Sequence, residues 1–359
     1  MNIYGIVILA AIIVDFIIDS IAKSLNIKQL KSDLPVEFAG VYTDETFRKS
    51  QEYTKTNTIF NVITTLFDLI LLLGFWFAGG FNRLDGIVRV ISEYYIWQGL
   101  LYIGILMFAN AIISLPFGIY STFVIEERFG FNKTTPGTFV LDLIKSLGLS
   151  IVIGAPVLAL ILYILQNAGS YAWIAGWSAV TIISFIMQYL YPRLIMPIFN
   201  KFVPLEDGEL KSSIMSYAHK VKFPLKNIFV MDGSRRSGKS NAFFTGIGKN
   251  KRIALYDTLI EKHTIGELVA VLAHEIGHFK KKHILVGMIV GILHTGFLFY
   301  LLNFFITEPG LFGAFYMDNI SIYAGLIFFG MLYSPVNMLL SLVMNIVSRS
   351  NERAADKFA

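Results

Sequence analysis

The sequence contains no cysteine in its 359 residues, and only 15% of them are charged. Without cysteine the chain forms no disulfide bond and offers no thiolate to a metal ion, so a metal site here must use His, Asp or Glu. The sequence has only six histidines, which narrows that search. The shortage of charge, together with 55% hydrophobic residues, excludes a soluble globular domain of this length and favours a bilayer protein.

Long hydrophobic runs are abundant. Seven runs can cross the roughly 30 Å of hydrocarbon in a bilayer, and the first lacks the basic start and the cleavage site of a signal peptide, so we expect it to remain as a helix. The sequence therefore predicts an all-α integral membrane protein with seven transmembrane helices. The predicted spans are 3–25, 58–80, 97–124, 141–166, 172–199, 284–307 and 320–347.

Lysine and arginine are concentrated in alternate connecting segments. All but two of the 30 lie in 22–57, in 125–145, in 192–283 or after residue 348, and the two exceptions are Arg83 and Arg89. With seven spans, this bias predicts an N-terminus outside the cell and a C-terminus in the cytoplasm. The net charge of +5 is therefore explained by the basic cytoplasmic segments, which the anionic headgroups of the bilayer attract. We expect no nucleic-acid partner.

The segment 200–283 is expected to form a small cytoplasmic α+β domain between the helices of 1–199 and those of 284–359. Three stretches have strand character, with glycines 246 and 248 indicating a turn: Asn227–Met231, Asn241–Thr245 and Arg252–Tyr256. An edge strand of such a sheet could hold an extended peptide by backbone pairing. The alternative is that the sheet only braces the helix that follows it.

Residues 274–278 read His-Glu-Ile-Gly-His. On a helix, this spacing places His274 and His278 on one face, so that two imidazole nitrogens converge on one metal ion. In this motif the carboxylate of Glu275 does not bind zinc; it takes a proton from a zinc-bound water. The motif therefore predicts the active site of a zinc protease.

The helix that carries this motif is predicted to begin at Thr264, a good N-cap residue with Glu267 three positions later as a capping box. Residues 268–273 are apolar on all sides of the helix. We therefore expect a buried helix, with its two motif histidines in an enclosed, low-dielectric site where metal binding would satisfy them.

Glu352 and Asp356 stand four positions apart on the predicted extension of the last span. Glu352 could supply a third metal ligand, and Asp356 could hydrogen-bond a ligand imidazole and fix its tautomer. The alternative is that both are solvated charges at a helix end. His283 lies two and a half turns after His274, so we expect it to point elsewhere, towards the membrane interface; a supporting role at the site is the alternative.

Gly233 to Ser240 matches the phosphate-loop pattern GxxxxGK[ST] and follows a predicted strand. A working phosphate loop opens a helix whose N-terminal amides contact the phosphates. The residues after Ser240 have strand character instead, so we expect no nucleotide to bind here.

Four separated segments, in order, resemble the integral-membrane CAAX prenyl protease 1 family: Glu-Arg-Phe-Gly-Phe-Asn-Lys-Thr-Thr-Pro (127–136), Ser-Asn-Ala-Phe-Phe (240–244), His-Glu-Ile-Gly-His-Phe-Lys-Lys-Lys-His (274–283) and Ser-Arg-Ser-Asn-Glu-Arg-Ala-Ala-Asp-Lys-Phe-Ala (348–359). The resemblance implies seven helices forming a cage around a large chamber, capped by the zinc domain. It also implies a set of site residues: His274, His278 and Glu352 as ligands of one Zn²⁺, Glu275 as general base, Asp356 as a partner of a ligand imidazole, and Asn241, Ala242 and Phe243 beside the substrate strand.

The activity that this resemblance implies is removal of the last three residues of prenylated CAAX proteins by a zinc metalloendopeptidase. One alternative is a quality-control protease similar to HtpX, which trims misfolded membrane proteins. Another, from a different class, is a transporter, which would hold no stoichiometric metal. The short loop 308–319 and the lack of cysteine resemble prokaryotic members, so we expect a prokaryotic cell membrane.

One feature of the resembled family has no counterpart in this sequence. Family members continue beyond the position of Ala359 with a cytoplasmic segment, and a His in that segment is thought to stabilise the tetrahedral oxyanion. We assign that role to no residue of this sequence: either the sequence is a truncated form, or that part of the site comes from elsewhere. We expect a form without this donor to bind zinc but to hydrolyse peptides roughly a hundredfold more slowly, or worse.

Overall fold

The computed structural model describes residues 1–31, 33–36, 40, 43–245 and 251–359. Three of the helices are continuous through short π-helical or 3-10 turns. In chain order the elements are α1 (Ile3–Lys28), α2 (Asp44–Phe77), α3 (Gly80–Ile91), α4 (Tyr95–Glu126), α5 (Pro136–Asn167), α6 (Gly169–Phe199), β1 (Phe202–Pro204), α7 (Glu209–Lys220), β2 (Leu225–Met231), β3 (Ala242–Thr245), β4 (Lys251–Tyr256), α8 (Asp257–Lys262), α9 (Ile265–Lys280), α10 (His283–Phe305), α11 (Pro309–Ala314) and α12 (Ile322–Asp356).

Seven of these helices are long and apolar enough to cross a membrane: α1, α2, α4, α5, α6, α10 and α12. This confirms the predicted fold class and the number of spans within the described residues. Two helices extend well beyond their hydrophobic runs. Helix α2 starts at Asp44 because Thr43 caps it, its side chain accepting a hydrogen bond from the Thr46 amide. Helix α12 continues to Asp356, as predicted for the segment that carries Glu352.

The chain divides into two compact units. The first comprises Met1–Gly130, Val157–Ala172 and Leu301–Leu340. Its core is aromatic, with the rings of Phe315 and Phe328 stacked at 3.9 Å between centroids. Phe81 lies edge-on to both of these rings, and edge-on pairs stabilise a core beyond the area that they bury.

The first unit also buries a carboxylate. The side chain of Asp85, on α3, is fully buried and accepts hydrogen bonds from the Tyr323 hydroxyl at 2.6 Å and the Arg89 guanidinium at 2.7 Å. A buried charge is tolerated only with such partners. This network therefore fixes α3 against α12 inside the unit.

The second unit comprises Phe131–Pro156, Trp173–Tyr300 and Ser341–Ala359. It contains a four-stranded sheet in the order β1-β2-β4-β3, in which only β2 and β4 run parallel. The three predicted strands are therefore confirmed, and the turn predicted at glycines 246 and 248 lies outside the described residues. Strand β4 is central and buries Ile253 and Leu255 fully.

Helix α9 packs on this sheet. Thr264 and Glu267 form the predicted capping box: the Thr264 amide donates to the Glu267 carboxylate at 2.8 Å, and the Thr264 hydroxyl accepts from the Glu267 amide. Leu268 and Leu272 lie in the hydrophobic core of the sheet, and Ile276 continues the same face one turn later. Because this face is held at three successive turns, the orientation of the motif histidines follows from the packing of the helix.

Candidate metal centre

Three side chains from two helices converge at one point. Helix α9 supplies His274 and His278, whose Nε2 atoms lie 3.2 Å apart, and α12 supplies Glu352, whose Oε2 lies 3.3 and 3.4 Å from those two nitrogens. Zinc bonds of 2.0–2.1 Å in a tetrahedron would separate neighbouring ligand atoms by about 3.3 Å. The three groups therefore fit a zinc ion that keeps a fourth position open.

The exposure of the site differs from the prediction. The side chains of His274 and His278 are 26% and 20% exposed, and that of Glu352 is 53% exposed. The expected full enclosure is wrong because α9 buries only one face, while Val271 on another face remains 38% exposed. Apolar residues all around a helix do not determine how many sides the protein covers. The partial exposure leaves an approach for a substrate.

Asp356 holds one of the two imidazoles. Its Oδ1 lies 2.8 Å from Nδ1 of His274, one helical turn after Glu352 on α12. Nδ1 donates this hydrogen bond when Nε2 is unprotonated, and Nε2 is the atom that faces the other two candidate ligands. The contact therefore favours the tautomer that metal binding requires.

Glu275 is half-buried beside the two histidines. Burial raises the pKa of its carboxyl group above the ordinary value, and the neighbouring imidazoles of His278 and His274 oppose that rise. A carboxylate whose pKa is moved towards neutrality is a better proton acceptor at physiological pH. The electrostatics of this position therefore suit a general base.

His283 lies beside the site, which corrects the expectation that it points elsewhere. Its Nδ1 lies 3.1 Å from Nδ1 of His278. The expectation treated α9 as continuous, but α9 ends at Lys280 and Lys282 adopts a left-handed φ of 60°. The chain turns there, and α10 begins with His283 directed back at His278. No residue pattern indicates that a lysine will adopt a left-handed backbone conformation. The spacing of the histidines alone therefore could not predict this contact.

The edge of the sheet carries the residues expected near the substrate. Strand β3 is the outer strand of the described sheet and pairs with β4 alone. The Tyr256 amide donates to the Asn241 carbonyl at 3.0 Å, so in antiparallel alternation Asn241 and Phe243 face β4. The backbone groups of Ala242 and Phe244 face away from it, and the Ala242 amide donates to the side chain of Asn241 at 2.8 Å.

The side chains on β3 have different surroundings. Ala242 is buried in the core that contains Leu268 and Leu272 of α9, so only its backbone is available to a peptide. Phe243 lies edge-on to the ring of Tyr256. Asn241 is exposed. The strand is therefore fixed to the motif helix by the side chain of Ala242 and presents its outer backbone.

The segment from Gly233 to Ser240 leads into β3, as predicted, and not into a helix. Its Ser234 amide donates to the carboxylate of Asp257 at 2.8 Å, and Nζ of Lys239 lies 5.1 Å from the centre of the Phe131 ring. This amide and this ammonium group therefore contact other parts of the protein. Arg236 fastens the segment to α5 through two hydrogen bonds to Asp142 of 2.6 and 2.8 Å.

Comparisons with known proteins cover nearly the whole chain. A family model described as CAAX prenyl protease N-terminal, five membrane helices, matches residues 24–201, and the model of peptidase family M48 matches residues 204–359. The CAAX prenyl protease 1 homolog of Arabidopsis thaliana is 40% identical over 352 residues, which are 93% of this chain and 82% of the relative.

Two further comparisons agree. The CAAX prenyl protease 1 of Saccharomyces cerevisiae is 36% identical over 364 residues, covering 92% of this chain and 79% of the relative. The crystal structure of S. mikatae Ste24p superimposes with a TM-score of 0.93 at 33% identity, covering 100% of this chain and 88% of that one. These similarities extend over both the spans and the segment that holds the three candidate ligands.

Proposed function

Because the chain belongs to peptidase family M48, within its CAAX prenyl protease group, and is a multi-pass membrane metalloprotease, we propose that His274, His278 and Glu352 hold its metal ion and that this ion is zinc. The ligand atoms of these three side chains converge within 4.8 Å of one another, which supports a shared metal ion. Two imidazoles and one carboxylate, without thiolate, form a typical donor set of a catalytic zinc site.

The chemistry follows from the arrangement of the side chains. A zinc ion bound here would polarise a peptide carbonyl and lower the pKa of a water molecule towards neutrality. Glu275 takes the proton of the attacking water and passes it to the leaving amine, which its raised pKa favours. Asp356 keeps His274 in the ligating tautomer through the 2.8 Å contact.

The substrate pairs with the outer edge of β3. The outward backbone groups of Ala242 and Phe244 offer a strand-pairing template, and β3 packs against the helix that carries the zinc ligands through Ala242. The amide of the Asn241 side chain, which covers the Ala242 amide, moves aside when the peptide binds. An extended peptide held in this way exposes its backbone to Glu275.

The substrate class that best fits is a prenylated protein with a CAAX terminus, because relatives that match over most of their length are CAAX prenyl proteases by name. The substrate-binding segment 200–283 and the zinc site face the cytoplasm, as the distribution of lysine and arginine indicates. Cleavage of one peptide with and without an attached isoprenoid tests the substrate class. Equal rates would exclude prenyl recognition and favour a general membrane-protein protease.

The zinc assignment is tested by metal content and turnover measured on the same purified variants. Glu275→Gln should keep one zinc per chain and lose cleavage, because it removes the base and leaves the ligands. Glu352→Ala should lose zinc. Glu261→Gln, at an exposed carboxylate on α8, is the control and should change neither. Turnover by Glu275→Gln, or full zinc content in Glu352→Ala, would contradict the assignment.

A further inference from the structure

The two candidate ligand histidines have different partners on the side away from the metal. His274 meets a carboxylate, Asp356, whereas His278 meets a second imidazole, His283. The rings of His278 and His283 are edge-on, with centroids 5.2 Å apart and an interplanar angle of 74°. This edge-on arrangement directs one ring nitrogen at the other, as a hydrogen bond between imidazoles requires.

The turn after α9 creates this contact. On an uninterrupted helix, a residue five positions later is rotated by about 140° and cannot meet the first. Here the Lys281 amide closes α9 on the Gly277 carbonyl at 2.9 Å, and Lys282 takes the left-handed conformation. Helix α10 then starts at His283. The left-handed turn thus brings an imidazole from the start of a membrane span to the metal centre.

We propose that His283 is a positioning residue for the metal, acting through His278; this rests on the proposed zinc site. His278 points Nε2 at the other ligands, so its ring proton resides on Nδ1, and this N–H group needs a hydrogen-bond acceptor. His283, as the tautomer protonated on Nε2, accepts that hydrogen bond with its own Nδ1, 3.1 Å away. The hydrogen bond orients the His278 ring and keeps its Nε2 lone pair on the metal.

The choice of an imidazole has an electrostatic consequence. Glu352 already brings one negative charge to the metal, and Asp356 brings a second to the far side of His274. A neutral acceptor orients His278 without adding a third. More negative charge would weaken the polarisation of a peptide carbonyl by the metal. One charged partner, Asp356, and one neutral partner, His283, therefore orient the two ligand histidines while preserving the Lewis acidity of the site.

The experiment compares three variants of the full chain by chelator competition for zinc. His283→Asn should bind zinc almost as tightly as the original chain, because Oδ1 of asparagine occupies nearly the place of Nδ1 and accepts the same bond. His283→Gln should bind more weakly, since its acceptor is displaced by one carbon. His283→Leu should lose about 10- to 100-fold in zinc affinity, as is usual when the partner of a ligand histidine is removed.

His219→Leu is the matched control, since His219 is exposed on α7, and it should bind zinc like the original chain. Unchanged affinity in His283→Leu, or equal loss in the Asn and Gln variants, would overturn the proposal. If His283→Leu does not fold, the Asn and Gln pair decides alone. His278→Ala, measured in the same experiment, distinguishes failure of the zinc site from failure of the positioning role. If this variant keeps its zinc, the proposed metal site is wrong, whatever the His283 variants do.

Discussion

Gly277 lies directly against the backbone of Ala355. A Cβ atom at position 277 would lie 3.1 Å from both the Cα and the carbonyl oxygen of Ala355, closer than ordinary van der Waals contact. Gly277 is the fourth residue of the His-Glu-Ile-Gly-His motif, and Ala355 lies between Glu352 and Asp356. The absence of a side chain at position 277 therefore sets how closely α12 brings its carboxylates to the imidazoles of α9.

Substituting Gly277 should separate the two helices and damage the metal site. We expect Gly277→Ala to weaken zinc binding and to reduce the free energy of unfolding by about 1–3 kcal/mol, since Cβ meets backbone that cannot rotate away. Gly266→Ala on the same helix is the control, because a Cβ there meets nothing within 4 Å. This variant should retain zinc, and its free energy of unfolding should rise by up to about 1 kcal/mol. Zinc content and thermal unfolding in detergent measure both effects, and normal zinc affinity in Gly277→Ala would contradict the packing argument.

Removing Asp356 should weaken the metal site without removing a ligand. Asp356→Ala frees His274 from its 2.8 Å contact, and we expect zinc affinity to fall about 10- to 100-fold. Asp356→Asn should lose less, since its amide oxygen still accepts a hydrogen bond. Lys357→Ala, at the next exposed position, controls for the truncation of a charged side chain at this helix end. Competition with a chromogenic chelator gives the affinities, and an Asp356→Ala variant as tight as the control would exclude the positioning role.

Backbone pairing at β3 predicts an alternating response to N-methylated substrates. A peptide paired with the outer edge directs every second amide at β3, so methylation at those positions should raise KM by about tenfold for each hydrogen bond lost. Methylation at the intervening positions should have little effect. A peptide series methylated at one position at a time supplies its own control, and a response without alternation would show that the substrate is not held as a strand.

The lack of native cysteine makes the proposed topology directly testable. Ser170→Cys, in the short connection at the start of α6, should react with a membrane-impermeant maleimide added to intact cells or sealed vesicles of cellular orientation. Ser212→Cys, exposed on α7, should react only after permeabilisation. The unmodified chain has no thiol and provides the background. Labelling of Ser212→Cys from outside would invert the orientation deduced from the basic residues.

Much of this arrangement could be read from the sequence because it depends on periodicity. The spacing of His274 and His278 is set by the helical repeat, and that of Glu352 and Asp356 by the same repeat on another helix. The capping box at Thr264 is equally local. Hydrophobic runs predicted the spans. The second helix nevertheless begins at Asp44, well before its hydrophobic run, because polar residues continue a helix once it has been nucleated.

The features that the sequence did not predict depend on contacts between residues far apart in the chain, or on an unusual backbone conformation. The contact of His283 requires a left-handed φ at Lys282, a conformation for which lysine has no preference. The approach of Gly277 to Ala355 joins positions that the sequence separates by two helices. The open side of α9 depends on which neighbours the fold supplies. None of these has a periodic signal, so residue pattern alone could not predict them.

The candidate ligands also have a mechanical consequence, because His278 precedes α10 whereas Glu352 lies one turn before the end of α12. A metal ion bound between them closes a ring of polypeptide that contains both of the last two hydrophobic runs, 284–307 and 320–347. In a chain without thiols, that ion would serve as a reversible crosslink whose strength depends on free metal concentration. We therefore expect chelation to release the end of the last span as well as to stop catalysis.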